Sequence, residues 1–322
     1  MTTALFSCNN GTEKTRGSFE RIDPAFNALV DENAAIEIIA DGCDWSEGPL
    51  WLPDQKMLLF SDVPLNTIYK WTEAKGKEIY LTPSGYTGSI PRGGETGANG
   101  LALSPEGKLV LCQHGNRQMA WMEADLSNPR PVFKTIAGNY QSKKFNSPND
   151  AAYNAKGELF FTDPPYGLEK NMEDPLKETP YQGVYKVKQS GEVILLTDSL
   201  TRPNGIAITP DQKTLIVANS DPEKPNWYAF DINGDTLSNA RIFYSAAEVA
   251  KTEKGLPDGF KIDKNGNIYA TGPGGVWVLN KDGKVLGKIK FPEATSNCAL
   301  SPDEKTLYVT ADMYVLRIKL RQ

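Results

Sequence analysis

The chain has 322 residues, of which 39% are hydrophobic and 23% charged, and its formal net charge is -5 at pH 7. Its lysines are scattered among acidic residues, so it lacks the basic patch that binds nucleic acid or anionic membranes, and neither is expected as a partner. No run of the sequence approaches the roughly 20 apolar residues of a membrane-spanning helix.

The N-terminal segment has no complete signal peptide, because a basic start and a long apolar stretch are both missing. The letters LFSC at residues 5–8, followed by a polar linker, look like the end of a bacterial lipoprotein signal, with a random short apolar start as the alternative. We therefore expect residues 1–33 to form a flexible lead-in. A lipidated Cys8 would favour a periplasmic or envelope-anchored protein, and a cytoplasmic location is the alternative.

Six segments of one pattern follow at intervals of about 50 residues, the spacing of propeller blades. They start at Glu47, Asn99, Asn149, Asn204, Asp258 and Asn297. Each segment is typical of a β-hairpin, with a short strand, a polar turn and a second strand rich in β-formers. The intervening runs, such as TIYKW and GVYKVK, leave room for two more strands per repeat. A sandwich also has many short strands, but it gives no reason for six repeats in register.

The sequence therefore predicts an all-β fold, a six-bladed β-propeller over residues 34–322. The segment AAIEIIAD at residues 34–41 reads as one more strand, which could close the ring against the last blade.

The first residue of every repeat carries a side-chain oxygen, and these six residues should meet at one end of the central channel. The inner strand of each blade lies nearest the channel, so equivalent positions converge despite their separation in sequence. The ends of the second strands should return to the same rim. That second group comprises Asp62, Gln113, Asp163 and Asn219, with His114 beside it.

A single Asn-Gly or Asp-Gly pair usually marks a turn, but turn chemistry does not explain Glu47 or a six-fold register. A ring of carboxylate and amide oxygens without Cys or His suits a hard cation, calcium most readily. Magnesium, manganese or zinc could substitute. The sequence thus predicts a metal site in the central channel.

Several ordered motifs carry a family resemblance from about residue 35 to the end of the chain. They are SEGPLW, GANGLALSPEGKLVLCQHGNRQ, NSPNDAAY, FTDPPYG, RPNGIAITPD, LPDGFKID and YATGPGGVWV. Together they resemble the family that contains gluconolactonases and regucalcin, and among its members the bacterial gluconolactonases most. The resemblance implies a calcium-dependent six-bladed lactonase that hydrolyses a sugar lactone such as D-glucono-1,5-lactone.

The same resemblance implies the metal ligands. It assigns Glu47, Asn204 and Asp258 as direct ligands, with Asn149 in the fourth position as ligand or substrate contact. The regucalcin branch has an arginine two residues before the equivalent of Asn149, whereas this chain has Ser147. The sugar specificity of that branch is therefore not expected to transfer.

Other side chains are candidates for the missing substrate contacts. Arg117 and His114 in QHGNRQ could supply them, and Asn99 and Tyr166 are further candidates. The alternatives without a functional role are a packed Tyr166 and a hydrogen-bonded rim histidine at His114.

Lactone hydrolysis needs an electrophile at the carbonyl oxygen, an activated water and a proton for the leaving oxygen. The family resemblance and its position make Asp258 the first candidate base, although a cation-bound carboxylate is a weak base unless it acts on a metal-acidified water. His114 is the rival proton-transfer residue, because histidine titrates near neutral pH. It is the only histidine in the chain, which excludes a two-histidine dyad.

Two other functions fit the same pattern. The first is a metal-dependent esterase or organophosphate hydrolase, and the second is a propeller that binds calcium without turnover. The expected partner is a small lactone, and the expected assembly is a monomer or weak homodimer.

Overall fold

The computed structural model describes residues 16–321 and contains six antiparallel sheets of at least four strands. Successive sheets follow one another along the chain, and their first strands contact those of neighbouring sheets around a channel. The predicted six-bladed β-propeller is confirmed. Cys8, the predicted lipidation site, lies outside the described residues.

Blades 1 to 6 are numbered in chain order, and the strands of each blade are named from the channel outwards. Blade 1 has Ser46–Leu52, Met57–Asp62, Thr67–Thr72 and Gly76–Leu81; blade 2 has Ala98–Leu103, Leu109–Gln113, Gln118–Met122 and Phe133–Ala137. Blade 3 has Ala151–Tyr153, Leu159–Asp163, Gly183–Val187 and Val193–Thr197; blade 4 has Pro203–Ile208, Thr214–Asp221, Lys224–Asn233 and Thr236–Ser245. Blade 5 has Phe260–Ile262, Ile268–Gly272, Gly275–Leu279 and Val285–Lys290; blade 6 has Thr295–Leu300, Thr306–Ala311, Tyr314–Lys319 and Ile36–Ala40.

The remaining elements are short. A small hairpin has strands Asn139–Tyr140 and Lys143–Lys144, and 3-10 helices span Pro24–Ala28, Asn171–Glu173 and Val249–Lys251. Within residues 16–321, no helix is both long and apolar enough to cross a membrane.

The outer strand of blade 6 comes from the beginning of the chain. Ile36–Ala40 pairs antiparallel with Tyr314–Lys319, and Ile36 lies opposite Ile318. This pairing confirms the predicted closing strand, and it covers the edge of Tyr314–Lys319 that would otherwise be unpaired.

Ordered structure begins before residue 34, so the predicted boundary of the lead-in is corrected. Ser18–Arg21 adds a fifth strand to blade 5 by pairing with Val285–Lys290. Phe26 and Val30 are fully buried in the core cluster between blades 5 and 6. The prediction of a flexible segment is therefore wrong for residues 18–30.

In the described part of the chain, the core consists of six apolar clusters, each between two neighbouring blades. Alternate residues of a strand face opposite sides of its sheet, so each middle strand supplies two clusters. In blade 1, Leu58 and Phe60 pack towards blade 6, whereas Leu59 packs towards blade 2. This explains why the second strands read as continuous apolar runs, and each such side chain contributes about 1.5–3 kcal/mol by burial.

In blades 1, 2, 4 and 6 the repeat residue lies at an irregularity of the inner strand, whereas Asn149 and Asp258 lie just before theirs. The register of blade 1 shifts between Glu47 and Leu50, and that of blade 4 shifts between Pro203 and Ile206. Such bulges bend a strand and redirect side chains out of the regular ladder. They allow the repeat residue to face the channel while the rest of the strand remains paired.

The glycine after each of four repeat residues is required by contact between blades. A Cβ at Gly205 would lie 2.3 Å from the Asp258 carbonyl oxygen, and one at Gly100 would lie 2.6 Å from the Asn149 carbonyl oxygen. Both distances are shorter than real Cβ contacts. The Asn-Gly and Asp-Gly pairs therefore pack the inner strands closely around the channel rather than forming turns.

Candidate functional site

A cavity of about 360 Å³ lies at the end of the channel where the inner strands begin. Its size falls in the range of about 300–1,000 Å³ typical of small-molecule sites. Six residues predicted for the site line it: Glu47, Asn99, Asn149, Tyr166, Asn204 and Asp258. A cavity of about 540 Å³ lies at the seam of the chain ends, but none of these residues reaches it.

Five of the six repeat residues thus converge, and Asn297 does not line the cavity. Its Oδ1 atom accepts hydrogen bonds from the Cys298 amide at 2.8 Å and from Lys261 Nζ at 3.3 Å. Its side chain nevertheless contacts Glu47 and lowers the pKa of that carboxylate, so Asn297 lies beside the ring without lining the cavity.

The two carboxylates of the ring are poorly compensated by the protein. Glu47 is only 2% exposed, and its Oε2 atom accepts a hydrogen bond from the Gly48 amide. Burial raises the pKa of Glu47, and the negative charges of Asp150 and Glu95 raise it further. Burial also raises the pKa of Asp258 well above its ordinary value, with Glu47 and Asp150 adding to the shift. Two buried carboxylates that repel each other cannot both ionise without a large cost in free energy unless a positive charge compensates them.

Oxygen atoms around the ring lack partners within residues 16–321. Asp258 Oδ1 and Asn99 Oδ1 are buried and make no hydrogen bond there. Asn204 donates from Nδ2 to Ser220 Oγ at 3.0 Å, which fixes the amide and leaves its oxygen available. Buried polar atoms without partners are rare in folded proteins and commonly mark a ligand site.

The described part of the chain contains no group of three or more His, Cys, Asp and Glu side chains arranged to hold a metal. A cation in this cavity would therefore depend on the asparagine oxygens as well as on Glu47 and Asp258.

Hydroxyl groups on the second strands hold the ring backbone in place. Ser61 Oγ donates to the Asn99 carbonyl oxygen at 2.8 Å, and Thr162 Oγ1 donates to the Asn204 carbonyl oxygen at 2.6 Å. Each bond joins one blade to the inner strand of the next. The positions of the ring residues are thus coupled around the channel.

The sequence matches a known family over residues 45–312, the region described as SMP-30/Gluconolactonase/LRE-like. The chain belongs to this family. A gluconolactonase of Zymomonas mobilis is 39% identical over 97% of this chain and 89% of the relative. A pentonolactonase of Haloferax volcanii is 24% identical over 85% of this chain and 83% of the relative.

A solved structure from Xanthomonas campestris, described as a gluconolactonase, superposes with a TM-score of 0.81 at 27% identity. The superposition covers 95% of this chain and 97% of that structure. This member of the SMP-30/gluconolactonase family is a lactone hydrolase, an enzyme that acts on cyclic carboxylic esters.

Neither His114 nor Arg117 reaches the cavity of this family member, which corrects their predicted direct contacts. His114 is fully buried, and its Nδ1 atom lies 3.1 Å from Glu95 Oε2, a residue that does line the cavity. Arg117 is 6% exposed, and its Nε atom donates to the Phe145 carbonyl oxygen at 2.6 Å. Arg117 therefore supports a loop, and the Glu95 side chain lies between His114 and the cavity.

The second group of predicted rim residues caps loops instead of lining the site. Its members are Asp62, Gln113, Asp163 and Asn219, and none of them lines the cavity. Asp163 accepts from the Asn146 and Ser147 amides at 2.8 Å each, and Asn219 Oδ1 accepts from the Arg202 amide at 2.8 Å. These bonds fix the segments that lead into the inner strands. The prediction that this group shares the functional rim is therefore wrong.

Sequence reasoning missed a third set of residues that line the cavity. Four of them stand two positions before a repeat residue: Trp45, Arg202, Leu256 and Thr295. Residues two apart on extended chain face the same side, so this offset was available as a signal in the sequence. Glu95 and Ser220 also line the cavity, and Glu95 stands four positions before Asn99.

Ser147 occupies the same offset in blade 3 but is fully buried. Its Oγ atom donates to the Pro164 carbonyl oxygen at 2.5 Å and accepts from the Gly167 amide at 2.9 Å. Ser147 therefore holds the loop that carries Tyr166 into the cavity.

Proposed function

We propose that this enzyme hydrolyses a sugar lactone, with D-glucono-1,5-lactone as first candidate, and that it requires a divalent cation, preferably calcium. The observation that carries the proposal is the convergence of Glu47 and Asp258 with three asparagines in one cavity. Family membership supplies the reaction class, and a relative at 39% identity is a gluconolactonase.

The donor set fits a hard cation. Glu47, Asp258, Asn149 and Asn204 would hold it through oxygen atoms, and the unpartnered oxygens of Asp258 and Asn99 are otherwise unexplained. Calcium accepts six to eight oxygens in loose geometry, whereas magnesium, manganese and zinc are stricter. A bound cation would draw electron density from the lactone carbonyl and favour attack by water.

The cavity offers groups suited to a polyhydroxylated ring. The Arg202 side chain makes no hydrogen bond or ion pair within residues 16–321, so its five N–H donors are free for substrate oxygens. Tyr166 and Asn99 add polar contacts, and Trp45 adds an apolar face on the same cavity. We propose that these side chains orient the lactone above the carboxylates, with Asp258 available to accept a proton from water.

The test is the rate of D-glucono-1,5-lactone ring opening after chelator treatment, corrected for spontaneous hydrolysis, before and after addition of calcium. We expect turnover only when the cation is present. We also expect calorimetry to show that the protein binds calcium. Glu47→Gln and Asp258→Asn should abolish both, whereas Glu169→Gln, on an exposed loop outside the cavity, should change neither.

Other outcomes discriminate the rival functions. Calcium binding without hydrolysis of any lactone would favour a non-catalytic propeller. Faster hydrolysis of aryl esters or organophosphates than of lactones would favour the esterase alternative. A higher kcat/KM for a pentonolactone would retain the mechanism and change only the substrate.

A further inference from the structure

Glu95 is a third carboxylate of the cavity, and neither the sequence repeat nor the proposed cation ligands include it. Its side chain is 34% exposed, whereas Glu47 is 2% exposed. Apart from the His114 contact, the Glu95 carboxylate has no hydrogen-bonding or ionic partner in the described part of the chain. A solvent-reaching carboxylate that is not needed as a ligand is free to exchange protons.

His114 lies directly behind Glu95. The distance between His114 Nδ1 and Glu95 Oε2 is 3.1 Å, but the imidazole ring is not aligned for a hydrogen bond. His114 is fully buried, and neither of its ring nitrogens has another partner within residues 16–321. Catalytic hydrogen bonds are often poorly aligned before substrate binds, so the contact can tighten in the complex.

The surrounding loops fix this pair. The His114 amide donates to the Gly97 carbonyl oxygen at 3.1 Å, two residues from Glu95. On the other side, a Cβ at Gly167 would lie 2.6 Å from His114 Cβ, so the Tyr166 loop packs tightly against the ring. Arg92 donates to the Gly115 carbonyl oxygen at 2.9 Å and also bonds the Gly167 carbonyl oxygen.

We propose that Glu95 is the catalytic proton carrier of lactone hydrolysis and that His114 positions it through Nδ1. The proposal rests on the lactonase function proposed above and gives the proton transfer to Glu95 in place of Asp258. A carboxylate that binds a cation is a weak base, whereas Glu95 is not one of the proposed cation ligands.

The proton balance is simple. Glu95 Oε1 accepts a proton from the attacking water as its oxygen bonds to the lactone carbonyl carbon. When the bond from that carbon to the ring oxygen breaks, the same proton passes to the ring oxygen. One water is consumed, the product is an open-chain hydroxy acid, and Glu95 returns to its starting state.

The charged and titratable neighbours that bear on Glu95 are His114, Glu47, Asp258 and Tyr166, because Glu95 contributes to the pKa shifts of the last three.

The first experiment compares Glu95→Gln with Glu169→Gln on calcium-loaded protein. We expect Glu95→Gln to lower kcat by about 10²- to 10⁴-fold at saturating calcium, with calcium still bound and the acidic limb of the kcat/KM profile lost. Glu169→Gln should match the wild type in all three measurements. A Glu95→Gln enzyme with more than half the wild-type kcat would overturn the proposal.

A double-mutant cycle separates positioning from general scaffolding. His114→Met removes the donor, whereas His114→Gln keeps an N–H at similar length. If His114 acts through Glu95, His114→Gln should retain more activity than His114→Met, and His114→Met should cost little when Glu95→Gln is already present. Additive losses in the cycle would overturn the positioning role.

Nuclear magnetic resonance tests the contact even if a His114 variant fails to fold. The chain has one histidine, so ¹⁵N-histidine labelling of a tag-free protein gives signals from His114 alone. We expect Nδ1 to carry the proton in the wild type and its signal to move in Glu95→Gln but not in Glu169→Gln. An unaffected signal would overturn the contact. Failure of the wild type on every lactone would instead refute the proposed function.

Discussion

The contact between blades 4 and 5 provides a quantitative test of how the site is built. In Gly205→Ala, the new Cβ would lie 2.3 Å from the Asp258 carbonyl oxygen and 2.8 Å from Gly259 Cα. Real Cβ atoms essentially never approach closer than 3.0 Å, so the two inner strands must separate by most of an ångström. The neighbouring atoms belong to backbone, so no side-chain rotation can relieve the clash.

Overpacking of this kind costs about 1–3 kcal/mol of unfolding free energy. The effect on activity should be larger, because the displaced backbone carries Asp258. A misplacement of about 1 Å in a catalytic group can cost about 100-fold in rate. We therefore expect Gly205→Ala to fold with a lower denaturation midpoint and to lose most of its lactonase activity.

The assay pairs denaturant unfolding with initial rates of lactone hydrolysis. Gly138→Ala is the matched control, since its Cβ would lie 3.4 Å from Thr135 Cγ2, an ordinary contact. It should change the unfolding free energy by less than about 0.5 kcal/mol. If Gly205→Ala matched this control in both stability and rate, close packing of the inner strands would not determine the geometry of the site.

Individual contacts lead to three further predictions. Thr162→Val removes the donor to the Asn204 carbonyl oxygen and should lower the unfolding free energy by about 1–3 kcal/mol. Calorimetry should also show weaker calcium binding, and unchanged affinity would mean that this bond does not help to position the site. Burial raises the pKa of Asp163 from 3.8 to about 7, so its contribution to stability is greatest at low pH and is lost as pH rises through the higher value. Wild-type stability relative to Asp163→Asn should therefore fall as pH rises between those two values, and a constant difference in denaturation midpoint would contradict this. Arg202→Gln should raise KM for gluconolactone more than it lowers kcat, whereas an effect on kcat alone would place Arg202 in the chemical step.

The repeat made much of this molecule predictable. A motif that recurs at a fixed spacing determines the number of blades, and equivalent residues then converge by symmetry, as Glu47, Asn99 and Asp258 do. The closing strand was also predictable, because a strand that precedes the first repeat needs a partner and the last blade lacks its outer strand. These inferences depend on backbone topology alone.

What the sequence could not predict depends on side-chain direction and on segments outside the repeat. Asp163 and Asn297 occupy repeat positions, yet one caps a loop and the other bonds to Lys261. Glu95 lies between repeats, and only the folded loops bring it beside His114. The strand Ser18–Arg21 has no counterpart in other blades, so periodicity gave no sign of it.

The sixth blade combines a strand from the beginning of the propeller with three strands from its end, and this affects how the chain folds during synthesis. Ile36–Ala40 is made before its partner Tyr314–Lys319, from which it is separated by about 270 residues of sequence. Until the second segment leaves the ribosome, the growing ring has one waiting edge strand and apolar blade faces open to solvent. Such long-range pairing is slow and leaves apolar surface exposed, so the nascent enzyme should be most prone to aggregation until Tyr314–Lys319 has been made.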